Sequence, residues 1–142
     1  MTELVKLVSA CIGPMLWGVL LVARGFAAEP QAVTVPLSAD GIQRAEITVD
    51  SYSFTPNRLS VKENLPVELI LKSVTWMIPH NFVLKSSEAG IDIEQEVPPG
   101  GTATVRLTPK RSGEFKFVCT KKLLFFPSHE EMGMIGTLEV RK

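Results

Sequence analysis

From Ile42 to the C-terminus, apolar residues recur at every second position in short runs broken by proline, glycine and asparagine. Ala45, Ile47 and Val49 make one run and Leu59 and Val61 another. Val67, Leu69 and Leu71 make the clearest, with Glu68 and Lys72 pointing the other way. Alternate side chains of an extended strand face opposite sides of a sheet, so this period describes strands with one buried face. The punctuation agrees: Thr55-Pro56-Asn57, Glu63-Asn64, Pro98-Pro99-Gly100-Gly101 and the stretch from Pro109 to Gly113 are turn formers. Further strands are expected at His80–Leu84, Ile91–Val97 (polar enough for a sheet edge), Thr102–Leu107, Phe115–Cys119 and Met134–Val140. About seven or eight short strands, with no helical pattern of useful length, imply an all-β sandwich or barrel.

The N-terminus has a different texture. Lys6 lies in a short polar head, Leu7 to Ala23 is almost wholly apolar, and Ala27 and Ala28 precede Glu29. That order resembles a secretory signal peptide cut after Ala28. The apolar run is 17 residues long, close to the lower bound for a membrane span, so a retained anchor is the alternative. The expected division is a targeting or anchoring segment at 1–28, a linker or loosely attached first strand at 29–42, and the main domain at 43–142. An exported domain belongs in the periplasm or otherwise outside the cytoplasm, and meets the membrane only where residues 1–28 are kept.

Charge narrows the partners. Fifteen basic residues balance fifteen acidic ones, so no polyanion-binding surface is advertised and nucleic acid is not an expected partner. Loss of residues 1–28 would remove Cys11 and leave Cys119 alone. A single cysteine in an oxidising compartment is inert and buried, paired between chains, or held as a metal thiolate.

The run from Cys119 to Met134, CTKKLLFFPSHEEMGM, favours the last of these. It places a thiol, an imidazole and two thioethers between two expected strands, a donor set suited to a soft, redox-active metal such as copper. A mononuclear copper electron-transfer site takes two imidazoles, one thiolate and a weak thioether. The chain holds two histidines, His80 and His129, so such a site would use both.

These residues resemble the cupredoxin family, the small blue-copper proteins of plastocyanin and azurin type. The likeness is carried by Pro79-His80-Asn81, by Gly113 to Cys119, by His129-x4-Met134-x-Gly136, and by Phe54-x-Pro56-x2-Leu59-x-Val61. It spans roughly residues 43–142. The resemblance implies a Greek-key β-sandwich and one copper ion at a type 1 site. It also implies that His80, Cys119 and His129 are the equatorial ligands and Met134 the axial one, with His80 supplied from across the sandwich. Met132 is the competitor for the axial role, but it lacks the Met-x-Gly context. Asn81, by the same resemblance, ties the two ligand loops together.

The chain departs from the family in the nine residues between Cys119 and His129, a longer connection than most small blue-copper carriers have. Leu123-Leu124-Phe125-Phe126 at its centre either covers the metal as core or forms a surface patch for a partner. Lys121-Lys122 reads as a solvated turn, and Trp76 as a packing residue.

The function expected is exported one-electron transfer, cycling Cu(I) and Cu(II), with a redox partner protein that could belong to a membrane-bound respiratory complex. The alternative is a module that stores or delivers copper through the same ligands. A nitrite-reductase type of enzyme would need further histidines for a second copper site, and this chain has none to give. The expectation is therefore a protein that is not an enzyme.

Overall fold

The computed structural model describes residues 31–142, so the targeting or anchoring segment expected at 1–28 lies outside the described residues. Ten strands follow one another: β1 Val33–Thr34, β2 Gln43–Asp50, β3 Ser53–Thr55, β4 Arg58–Lys62, β5 Val67–Ser73, β6 His80–Ser86, β7 Ile91–Val97, β8 Thr102–Leu107, β9 Gly113–Val118 and β10 Ile135–Arg141. The count exceeds the seven or eight expected because β1 and β3, of two and three residues, are too short to show a period. Among the described residues no helix is long and apolar enough to cross a membrane.

The strands form two mixed sheets, in the orders β1-β4-β10-β9-β6-β7 and β3-β2-β5-β8. The alternation that predicts the strands also closes the sandwich. Ile47 and Val49 of β2, Val67, Leu69 and Leu71 of β5, and Leu84, Phe117, Leu138 and Val140 of the larger sheet are all buried in one core. Phe82 and Phe117 stack at 4.8 Å between ring centroids, and Phe54 meets both edge-on at 6.0 and 5.2 Å. Full burial of each such ring contributes about 2–3 kcal/mol, and the edge-on geometry is the one aromatic quadrupoles favour. The polar strand β7 lies at a sheet edge, as its composition leads one to expect.

Two features of this topology position the site. Strand β9 lies between β10 and β6, with Val118 facing Ile135 on one side and Val83 on the other. The end of β9 and the starts of β6 and β10 therefore meet at one pole. Strand β1 pairs in parallel with β4, and β4 in parallel with β10. Followed back from Val33 toward Gln31, the chain runs to that same pole.

Candidate metal centre

His80 opens β6, Cys119 follows β9 directly, and Met134 immediately precedes β10. His80 thus comes from the strand hydrogen-bonded to β9 in the same sheet, and not from across the sandwich. At this pole Cys119 Sγ lies 3.9 Å from His80 Nδ1 and 3.3 Å from His129 Nδ1. One ligand atom from each of the three residues falls within 4.8 Å of the others, and all three residues are buried.

The backbone fixes the loop that carries His129. His129 N–H donates to the Lys121 carbonyl at 2.8 Å, which closes the long connection on itself. Ser128 and Glu131 then open a helical turn with reciprocal bonds. Ser128 N–H and Oγ–H donate to Glu131 Oε2 at 2.6 and 2.8 Å, and Glu131 N–H donates to Ser128 Oγ at 3.2 Å. This is a capping box, and Ser128-x-x-Glu131 spells it in the sequence. Met134 N–H donates to the His129 carbonyl at 2.9 Å, and Cys119 N–H to the Met134 carbonyl at 3.2 Å. Met134 is fully buried beside two of the clustered residues, whereas Met132 is exposed.

Gly136 is required by contact. A Cβ there would fall on the Phe117 ring and 2.7 Å from the Asn57 carbonyl oxygen, the oxygen that accepts from Thr137 N–H at 2.8 Å. The glycine lets β10 start tight against Asn57, which sets where Met134 sits.

Asn81 makes three bonds at the pole. Its backbone N–H donates to Cys119 Sγ at 3.4 Å, its Nδ2 donates to Thr120 Oγ1 at 2.9 Å, and its Oδ1 accepts from Thr120 N–H at 2.8 Å. Thr75 has no signal in the sequence, yet it determines the state of His80. Its hydroxyl lies 3.1 Å from the Ile78 carbonyl and 3.1 Å from His80 Nε2. With its proton donated to the Ile78 carbonyl, which can only accept, Thr75 Oγ1 is an acceptor for His80 Nε2–H, and Ser73 Oγ, also 3.1 Å away, can donate to the same oxygen. The remaining lone pair of His80 is then on Nδ1, the atom that faces Cys119.

Burial sets the charges. Desolvation, reinforced by the neighbouring His129, pushes the His80 pKa down to about 4. Desolvation also lowers that of His129. Burial raises the Cys119 thiol, against hydrogen bonds from the Asn81 and Lys121 backbones. Two neutral imidazoles and a buried sulfur that already accepts a backbone N–H make a donor set for a soft metal. Among the described residues no buried side-chain nitrogen or oxygen lacks a partner, so the donors are held and not loose. The residues present fit copper.

Outside the pocket the expectations change. Leu123, Leu124, Phe125 and Phe126 are not core; all are exposed, as is Trp76. Lys121 pairs with Glu96 at 2.7 Å. Beside His129 lies a groove of about 430 Å³, lined among others by Tyr52, Pro79, Phe126 and Met132. Tyr52 meets the His129 ring edge-on at 5.3 Å between centroids.

A β-sandwich with one thiol and two imidazoles buried at one pole has the make-up of a copper-binding domain. The cupredoxin-like domain matches residues 16–132, and the chain belongs to that family. Cytochrome c oxidase subunit 2 of Thermus thermophilus is 28% identical over 92 residues, covering 65% of this chain. The chain spans 61% of that relative's length, and 49% of a second subunit 2 from the same species. Among solved structures, the metal-binding domain of the Cu(I)-exporting P-type ATPase of Streptococcus pneumoniae D39 superposes with a TM-score of 0.60 at 18% identity, over 79% of this chain and 97% of that one. Auracyanin A of Chloroflexus aurantiacus, a blue copper protein, gives 0.57 at 19%, over 71% and 100%. These structural likenesses establish the fold.

Proposed function

We propose that this domain carries single electrons through one copper ion at a type 1 site. His80 Nδ1, Cys119 Sγ and His129 Nδ1 are its ligands, and Met134 is the fourth, weaker donor. The observation that carries this reading is the approach of Cys119 Sγ to both imidazole Nδ1 atoms inside a buried pocket. Bound copper would supply a one-electron couple between Cu(I) and Cu(II) that softer and harder donors share.

The chain's own part is positional. Thr75 holds His80 in the tautomer that presents Nδ1, and the N–H of Asn81 meets the sulfur lone pairs. The capped turn at Ser128 and the Met134 backbone hold His129 close to Cys119. Hydrogen-bonded on these sides, the donors have little freedom to rearrange when charge changes, which keeps the cost of electron exchange low. His129 lines the groove beside Tyr52 and is the ligand nearest solvent, so electrons would enter and leave through its edge.

With four side chains committed to the metal, none is left to bind and turn over a substrate, which favours a carrier over an enzyme. The likeness to an oxidase subunit favours a redox partner in a membrane-bound respiratory complex. The apolar segment at 1–28 favours export. Absorption and voltammetry of the copper-loaded chain test the reading. An intense thiolate-to-copper band in the visible, with fast and reversible reduction, is the expected result. A colourless protein that takes only Cu(I) and exchanges it readily would sink the proposal in favour of storage or delivery.

A further inference from the structure

We propose that the pole carrying the metal centre docks on the surface of a lipid bilayer. Two loops project there, and both carry exposed apolar side chains at their tips. Trp76 and Met77 are 88% and 89% exposed, and Phe125 is 84% exposed between Leu124 at 76% and Phe126 at 52%. A contiguous exposed patch of this kind marks an interaction surface. The backbone of the second loop turns these groups outward. Phe126 N–H closes on the Leu123 carbonyl at 3.0 Å, and Leu124 sits at φ 51°, a conformation uncommon for a bulky apolar residue.

Two observations select a bilayer. The exposed set is tryptophan, phenylalanine, leucine and methionine on projecting tips, the composition that partitions into the headgroup and upper acyl region. The chain also enters the domain at this same pole, since β1 runs parallel to β4 and β10. Seven residues, Arg24 to Pro30, separate the apolar run ending at Ala23 from Gln31, a reach of at most about 25 Å. A chain inserted through residues 7–23 would present this pole, and not the opposite one, to the membrane.

The test uses the full chain carrying Trp17→Phe, which leaves Trp76 as its sole tryptophan. It is reconstituted with vesicles of phosphatidylcholine and phosphatidylglycerol, with and without bromine on the acyl chains. The Trp76 emission should shift to the blue and be quenched by the brominated lipid. Leu124→Asp with Phe125→Asp should lose most of that quenching while the copper spectrum stays unchanged. Emission that remains red and unquenched overturns the proposal, as does quenching that persists in the double variant. A blue shift that grows with protein concentration in the absence of lipid assigns the pole to a second copy of the chain and also overturns it. The copper spectrum is read separately, so failure here leaves the electron-transfer reading standing.

Discussion

Asn81 and Thr120 are joined by a pair of hydrogen bonds, Thr120 N–H to Asn81 Oδ1 at 2.8 Å and Asn81 Nδ2 to Thr120 Oγ1 at 2.9 Å. The pair spans the start of β6 and the residue after Cys119, so it locks His80 and Cys119 into one frame. Asn81→Ala deletes both bonds and leaves a part-buried Thr120 N–H without its partner. The expected cost is about 2–3 kcal/mol, read as a lower urea midpoint for the metal-free protein at unchanged slope. Copper should still bind, with a shifted visible band.

Thr75→Val keeps the shape at that position and removes the acceptor for His80 Nε2–H. Loss of such an orienting partner costs roughly 10–100-fold in metal affinity. Competition titration with a copper chelator should show that loss, and Thr75→Ser should restore most of it. An unchanged affinity in Thr75→Val would remove Thr75 from any role in holding the imidazole.

The choice between the two methionines can be decided directly. Met134→Leu should retain copper and raise the reduction potential, since a weak donor is exchanged for none. Met132→Leu, at an exposed position, should leave the potential where it was. The reverse pattern would transfer the axial role to Met132.

Gly136→Ala should destabilise the fold without touching a ligand. The added methyl meets the Phe117 ring and the Asn57 carbonyl, and the carbonyl belongs to backbone held by Thr137. Overpacking of this kind costs about 1–3 kcal/mol. The upper end is expected here because a backbone oxygen cannot rotate aside.

The metal-free protein should lose stability on the acid side. His80 is held neutral down to about pH 4 against an ordinary value of 6.5. Between those values the unfolded chain takes up a proton that the folded chain refuses, so stability falls as pH drops from 6.5 and levels off below about 4. His129 is lowered in the same sense. Cys119, raised above 9.0, adds an opposite slope: stability falls as pH rises past the ordinary thiol value. Urea midpoints across this range check both flanks.

The strands were legible where burial imposes a period. Val67, Leu69 and Leu71 alternate because one face of β5 meets the core, and the ladder with β2 confirms the register. The cluster of His80, Cys119 and His129 was legible because donor chemistry limits which side chains suit a soft metal; the strand opening at His80 was legible too, but not its place beside β9 in the same sheet. Loops carry no such period. Nothing in Leu123 to Phe126 or in Trp76 separates a buried apolar side chain from an exposed one, and these residues proved exposed. A single threonine has no pattern either, so Thr75 emerges only from its contacts. Ser128-x-x-Glu131 is the converse case, a capping signature readable in the sequence beside His129.

Because β6, β9 and β10 are neighbours in one sheet, the residues proposed to hold the metal are separated by inter-strand ladders with a spacing of about 4.8 Å. Relative sliding of the two sheets leaves those ladders intact. The other sheet meets the centre at its rim, through Thr75 just past the end of β5 and Tyr52 between β2 and β3. Substitutions deep in the core between the sheets, at Ile47 or Leu69 for instance, are therefore expected to change how often the protein unfolds more than they change the spacing of His80, Cys119 and His129 in molecules still folded.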